Sequence, residues 1–285
     1  MHLRSLPVAL GDLLEQDAIL PICPAVFIRL TTAISDPDQH QLELAEILSS
    51  DPGLTSRVLH VANSAFYGMS RQVRSINDAI LRVGIREIWS IASALQAKTF
   101  FRSESGWSEF NGLLWEHALR TAAASRVLGL HLRTTYVDEA YTASLLHDLG
   151  KSVLHSFEAQ YALICRNGAL SGRELTYIEA DFFGTTHAQI GGELMLYWNL
   201  PESLAGLVAR HHDDLPEDVT KSDTNLLLAL SNQFSHAMAS PMDDLKESLR
   251  LMVSKNVLDA AELDLETCQR LAVEAQKQFA ALANT

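Results

Sequence analysis

Apolar residues recur at three- and four-residue spacing through nearly every long segment of this chain, and no strict alternation lasts long enough to demand a strand. The pattern predicts an all-α protein. Prolines and small polar residues mark the helix ends. Ile22 to Ile34 starts after Pro21 and stops before Asp36-Pro37, and Leu42 to Leu48 follows. Ser50-Asp51-Pro52 supplies a cap and a first-turn proline for a helix through Leu54, Val58, Val61 and Ala62, which ends near Gly68. Ser75 caps Ile76 to Val83, Gly84 stops it, and a long apolar helix runs from Ile85 to about Phe101.

Arg102-Ser103-Glu104-Ser105-Gly106 is a short polar stretch between two apolar helices, and it predicts a two-lobed molecule with residues 1–105 in the first lobe and 106–240 in the second. The second lobe reads as helices over Trp107 to Leu130, Val137 to Phe157, Tyr161 to Arg166, Glu174 to Phe182, His187 to Trp198, Ser203 to His211 and Asn225 to Met238. The acidic stretch Asp213 to Asp223 is a solvated loop. Residues 241–285 form a helical extension with an apolar stripe through Leu265, Leu271, Ala275 and Phe279. The chain has no internal repeat, low-complexity tract or glycine-rich phosphate loop.

Composition then narrows the setting. With 285 residues and 47% hydrophobic content, the chain can bury a large core. A formal charge of -13 disfavours nucleic acid and anionic membrane as nonspecific partners. Cys23, Cys165 and Cys268 are odd in number and far apart, which fits reduced core thiols in a cytoplasmic protein better than a disulfide framework. No apolar run reaches the length of a membrane span, and Met1 to Gln16 carries acidic residues where a signal peptide would be basic and then apolar.

The candidate chemistry lies in histidines on apolar faces. His147-Asp148 sits inside Leu145 to Leu149, and burying an imidazole and a carboxylate without partners is costly. Ala140, Ser144, His147, Asp148 and Lys151 share one helical stripe, and His117 falls in register with Leu113, Thr121 and Ala124. His187 opens a helix after Thr185-Thr186, with Gly191 one turn on leaving room for close approach. His211-His212 ends another helix, and because helical neighbours are about 100° apart only one of the two is expected to point inward. Imidazoles with one carboxylate suit a divalent transition metal (Fe, Mn, Ni, Co or Zn), whereas calcium prefers oxygen alone. The candidate metal ligands are His117, His147, Asp148, His187 and His211, and the candidate catalytic residues are Asp148 and Lys151. The competing reading pairs Asp148 with Lys151 or a buried histidine and leaves only the polar remnant of a site. His2, His40, His60, His131, His155 and His236 read as surface or packing residues, Tyr161 and Trp198 as core.

The arrangement of His117, His147-Asp148, His187 and His211 resembles the HD superfamily of metal-dependent phosphohydrolases. More specifically, Leu20 to Ala25, Ile47 to Thr55, Ala62-Asn63-Ser64-Ala65-Phe66-Tyr67-Gly68, Ser75 to Ile80, Gly84, Leu145 to Lys151, Gly184 to Gly191 and Trp198 to Glu202 resemble the HDOD family, the HD-related output domain of bacterial signalling proteins. The likeness covers roughly residues 18 to 235. It implies an all-helical fold in two lobes and a role in signal output and regulation, with many members lacking hydrolase activity. Where HD hydrolases carry a final aspartate ligand, the matching segment Leu228 to Gln233 has the neutral Asn232, and the Gly-Tyr-Pro signature of cyclic-di-GMP phosphodiesterases does not follow His211-His212. Asn63 to Gly68 reads as structural: Asn63 satisfies backbone groups at a helix end, Gly68 closes it, and Phe66 and Tyr67 pack between lobes.

Two functions follow. In the first, the chain is a non-catalytic signalling module that binds a signalling protein partner or a ligand. The signal then arrives through a separate chain or a portion absent here, because no receiver or DNA-binding domain is visible. In the second, it is a metal-dependent phosphohydrolase acting on a nucleotide or phosphodiester, with Lys151 neutralising a phosphate oxygen.

Overall fold

The computed structural model describes residues 24–34, 40–68, 72–101, 108–157, 161–166, 172–216, 218–240 and 244–283, and among them every regular element is a helix. The predicted start of the first helix at Ile22, its stop at Asp36-Pro37, Cys23, His2 and the 102–106 boundary lie outside the described residues. In the first lobe α1 (Ala25–Ile34), α2 (His40–Ser49), α3 (Pro52–Ala62) and α4 (Ile76–Val83) all pack against α5 (Ile85–Ala97). Every residue of α5 from Ile88 to Ala97 is buried, so this helix is the lobe's centre. It ends at Ala97 and continues as a 3-10 turn, Lys98–Phe101, not as one helix to Phe101.

Capping follows the sequence signals. Asp51 Oδ1 accepts the Leu54 amide at 2.9 Å, and the Ser75 hydroxyl accepts that of Asp78 at 3.1 Å. Asn63 closes the loop after α3: its Nδ2 donates to the Leu59 and Val73 carbonyls at 2.8 and 2.9 Å, and its Oδ1 accepts the Val73 amide at 2.7 Å. Gly68, at φ +57°, then ends the 3-10 turn Ala65–Tyr67 in the left-handed region.

The second lobe is organised on the long α6 (Glu109–Leu132), with α7 (Val137–Leu146) folded back along it. The predicted helix from Val137 to Phe157 is interrupted at His147-Asp148, where α7 ends and α8 (Leu149–Phe157) begins. The apolar periodicity runs through this junction because residues on both sides are buried, so it gave no sign of the break. α9 (Tyr161–Arg166) and α10 (Gly172–Phe183) follow, then α11 (His187–Tyr197) and α12 (Glu202–Ala209), which pack as a pair, and α13 (Thr224–Ala239) returns along α6. The C-terminal residues form α14 (Leu245–Met252), α15 (Lys255–Ala261) and α16 (Leu265–Ala283). Cys268, Leu271, Ala272 and Ala275 of α16 share a buried cluster with Ala124 and Leu128 of α6 and Phe234 of α13. Among the described residues no helix is long and apolar enough to cross a membrane.

Two kinds of contact join the lobes, and the first is aromatic. Phe27 meets Phe100 edge-on with centroids 5.0 Å apart, and Phe100 stacks on Trp198 at 5.1 Å. The other is polar. The Tyr67 hydroxyl donates to Glu87 Oε1 at 2.7 Å, Gln278 Nε2 donates to the same oxygen at 3.1 Å, and Arg126 bridges Glu87 Oε2 at 3.2 Å to Asp138 Oδ1 at 3.0 Å. Tyr67 therefore lies where the first lobe meets α6 and α16, and Phe66 packs edge-on against its ring. Arg126 is 5% exposed, and its removal takes a cation from Glu87 and the buried Asp138, which keep Tyr67 and Gln278 on one side and Arg86, at 3.3 Å from Asp138 Oδ2, on the other. Arg126→Met is expected to lower the unfolding free energy by about 1–3 kcal/mol. Lys221→Ala, which breaks a pair whose side chains are 51% and 69% exposed, should cost less than about 1 kcal/mol. Urea unfolding monitored by circular dichroism checks the contrast, and equal costs would refute the network's role.

Candidate metal centre

Four segments bring their side chains to one interior point. His117 lies mid-way along α6, His147 and Asp148 form the α7–α8 junction, His187 is the first residue of α11, and His211 and His212 occupy the turn after α12. His187 is fixed by a capping box, in which Thr186 Oγ1 accepts the Gln189 amide at 3.2 Å and Gln189 Oε1 accepts the Thr186 amide at 3.1 Å. The junction meets α11 through Gly150: a Cβ there would stand 2.0 Å from the His187 carbonyl oxygen. At Gly191 a Cβ would come within 2.9 Å of Val208 Cγ1, so the predicted close approach is to α12.

Both His211 and His212 turn inward, contrary to the expectation that only one would. Their Nε2 atoms lie 3.4 and 3.0 Å from His187 Nε2. α12 stops at Ala209, so the two residues are in a turn and the 100° helical separation does not apply. His212 is one of several residues that the sequence reading missed; Glu179, Tyr161 and Ser235 are the others. Only adjacency to His211 signalled His212, and nothing local marked Glu179 or Ser235, because tertiary packing alone brings them to the histidines.

Four of the five rings are oriented through Nδ1. His147 Nδ1 donates to the Ser144 carbonyl at 2.9 Å, His211 Nδ1 to the Val208 carbonyl at 2.7 Å, and His187 Nδ1 to Glu179 at 2.7 Å. His117 Nδ1 sits 3.1 Å from the Ser235 hydroxyl. Glu179 also accepts the His187 amide at 2.8 Å and the Tyr161 hydroxyl. Such second-layer bonds select the tautomer and aim Nε2 at the centre. Tyr161 is thus core, as expected, but with a polar duty.

Asp148, whose side chain is 3% exposed, is common to both donor groups. Its Oδ2 lies 3.7 and 3.6 Å from His117 and His147 Nε2 and accepts Lys151 Nζ at 2.8 Å. Its Oδ1 lies 3.4 and 3.6 Å from His187 and His211 Nε2 and has no hydrogen-bond partner among the described residues. The two groups, His117-His147-Asp148 and Asp148-His187-His211-His212, each bring their ligand atoms close enough to hold an ion. A buried carboxylate oxygen without a donor among imidazole nitrogens is a donor set that fits a borderline transition metal. Both sequence readings of Asp148 are therefore present: it pairs with Lys151 and it meets the histidines.

His117 is the edge of the pocket. Its side chain is 14% exposed, Leu113 in the same register is largely exposed, and the exposed His236 lies against the His117 ring at 4.7 Å. Asn232, one turn before His236, keeps a buried Oδ1 with no partner among the described residues.

Electrostatics follow burial. Burial pushes His147 down to about 3, and it lowers His117, where His236 adds to the effect, along with His211 and His212. For His187, burial and Lys151 oppose the charged ring, but Asp148 and Glu179 outweigh them and raise its pKa. Burial works against ionised Asp148 as well, yet Lys151 and the imidazoles hold it well below the usual carboxylate range. Burial lifts the half-buried Cys165 and the buried Cys268 to about 11, so both are thiols at neutral pH.

Gly150→Ala should displace the start of α11 and lower the melting temperature, whereas Gly112→Ala, whose Cβ meets nothing within 4 Å, should stabilise by about 0.5–1 kcal/mol; thermal scans of the pair check this. In metal-free protein the lowered histidines are neutral when folded but charge when unfolded, so the unfolded state binds more protons from pH 6.5 down to about 3 for His147. Stability therefore falls as pH drops through that window, each group contributing a slope approaching about 1.4 kcal/mol per pH unit. His187 acts in the opposite sense, its contribution being lost as pH rises through its raised value. Urea midpoints measured from pH 7 to 5 should decline, and less steeply in His147→Asn.

Comparison with known proteins places these features in a family. The HDOD domain model matches residues 20–214. An uncharacterized protein of Treponema pallidum (strain Nichols) is 28% identical over 201 residues, 68% of this chain but 38% of that protein, so the chain spans well under half of its curated relative. Among solved structures, an HDOD domain protein of unknown function from Geobacter sulfurreducens superposes with a TM-score of 0.74 at 22% identity, over 96% of each chain. A Shewanella amazonensis protein with a provisional phosphohydrolase name gives 0.70 at 22% identity, over 95% of this chain and 97% of that one. A Marinobacter aquaeolei VT8 protein with a provisional signal-transduction name gives 0.67 at 24% identity, over 100% of this chain and 62% of that one. At these identities the shared property is the fold.

Proposed function

The chain belongs to the HDOD family, and on that premise we propose that it is a signal-transduction domain that works by binding a signalling protein partner, with its histidine-aspartate pocket serving as a structural and ligand-sensing centre and not as a hydrolase. The observation that carries this reading is the Lys151 Nζ to Asp148 Oδ2 bond of 2.8 Å. Hydrolysis needs a group free to take a proton from water within hydrogen-bond reach. Glu179 is engaged by His187 and Tyr161 and Asp148 Oδ2 by Lys151, which leaves Asp148 Oδ1 as the one open oxygen of these two carboxylates. Asn232 contributes a neutral amide where a full HD enzyme has an anion. The formal charge of -13 favours a partner with a basic face.

One observation favours the phosphohydrolase reading: Asp148 Oδ1 is buried without a partner beside His187 and His211. His117, His147, Asp148, His187, His211 and His212 would hold a divalent ion, which supplies Lewis acidity when bound. Lys151, if freed from Asp148, would meet a phosphate oxygen.

The two readings part on turnover. Bis-p-nitrophenyl phosphate and nucleoside triphosphates, offered with Fe(II), Mn(II), Co(II), Ni(II) or Zn(II), should be hydrolysed no faster by the wild-type chain than by folded Asp148→Ala. Turnover that disappears in Asp148→Ala would overturn the regulatory reading and establish hydrolysis.

A further inference from the structure

We propose that the last two turns of α16, residues 276–283, are a releasable clasp that seals the first lobe onto the second beside Tyr67 and opens without unfolding the rest of the chain. The clasp goes beyond the regulatory reading above and does not rest on it.

α16 serves two places in succession. From Cys268 to Ala275 its buried stripe packs in a cluster with Ala124 and Leu128 of α6 and Phe234 of α13, all in the second lobe. Beyond Ala275 the stripe changes partners: Leu282 enters the larger core that both lobes share, and Phe279 packs against it. This end of the chain also reaches the first lobe, where α16 meets the 3-10 turn Ala65–Tyr67 and Gln278 Nε2 donates to Glu87 Oε1 on α5 at 3.1 Å. The match to the HDOD domain stops at residue 214, so the clasp is added to the segment that defines the family.

Its grip is lighter than that of the turns before it. Cys268, Leu271, Ala272 and Ala275 are all buried, whereas between Gln276 and Ala283 the one fully buried large apolar side chain is Leu282, and Phe279 is half-buried. Few buried apolar contacts and a chain end are the features of a segment that opens by itself. Opening strands no charge. When Gln278 withdraws, Glu87 keeps the Tyr67 hydroxyl on the same oxygen and Arg126 on the other, so what is lost there is one amide hydrogen bond that water can replace.

The clasp also touches the helix that carries His117. The Arg120 guanidinium lies 4.9 Å from the centre of the Phe279 ring and is held by Glu116 at 2.5 Å. Glu116 and Arg120 stand on either side of His117 along α6, so this turn of the pocket and the clasp share a contact.

Native-state hydrogen exchange of the full chain, read by mass spectrometry at rising urea below the unfolding transition, tests the clasp. Residues 276–283 should exchange at least tenfold faster than 265–275 and with little dependence on urea, because a two-turn end exposes little surface and frays once unpacked. Gln278→Glu, which sets a second carboxylate against Glu87, should speed exchange of 276–283 tenfold or more, together with the Tyr67 and Gly68 amides that the 3-10 turn protects. Gln269→Glu, the same substitution nine residues earlier, should leave both unchanged. Glu116→Gln, which loosens Arg120 without altering α16, should speed 276–283 severalfold. Circular dichroism reports folding, and Leu282→Asn replaces Gln278→Glu if that variant does not fold. Exchange of 276–283 only together with 265–275 would make the helix an ordinary buttress and overturn the proposal. Fast exchange that Gln278→Glu leaves unchanged, or that never reaches Tyr67 and Gly68, is simple end fraying and overturns it equally. An unchanged rate in Glu116→Gln would refute the link to the pocket turn. Phosphodiester turnover would refute the regulatory reading and leave these exchange rates as they are, so the two failures are separable.

Discussion

Asp148 carries a charge into the interior, at the point where α7 gives way to α8, and the second lobe is arranged around that fact. Taking a carboxylate out of water costs several kcal/mol unless its partners replace the lost solvation. Lys151, three residues on, meets one oxygen, while His187 and His211 arrive opposite the other from helices far along the chain. Because Gly150 has no side chain, α8 can lie directly against the His187 backbone, which is what allows the two sides to close.

The orientation of the imidazoles is set one layer out. Carbonyls at helix ends hold His147 and His211, a buried glutamate holds His187, and a serine on α13 holds His117. These bonds cost the folded protein little, since they also satisfy backbone groups that helix termini leave open. The outcome is a set of nitrogens aimed at one point, with His117, His147, His187 and His211 each held by a bond outside the pocket.

α6 and α7 each run from this pocket to the lobe contact. His117 and Arg126 stand nine residues apart on α6, and Asp138 and His147 the same distance apart across α7. At 1.5 Å per residue that separation is about 14 Å. The same two rigid helices therefore hold the metal-type donors at one end and the Arg126 bridge to Glu87 and Asp138 at the other, so the pocket and the junction with the first lobe share a frame.

Local sequence was sufficient wherever the governing physics was local. Ser75 and Gly84 bounded Ile76–Val83, helical periodicity excluded strands, and a His-Asp pair in an apolar run announced buried polar chemistry before any contact was known. It was insufficient wherever distant segments meet. The break at His147-Asp148 is invisible to periodicity because both flanks are buried, the inward turn of both His211 and His212 depends on α12 ending two residues earlier than predicted, and Glu179 finds His187 only through the packing of α10 beside α11. Residue types fix which groups can donate, accept or carry charge. The tertiary structure decides which of them face one another, since a buried carboxylate can be neutralised by any cation or donor that the fold delivers, and here the fold delivers a lysine to one oxygen and bare imidazole nitrogens to the other.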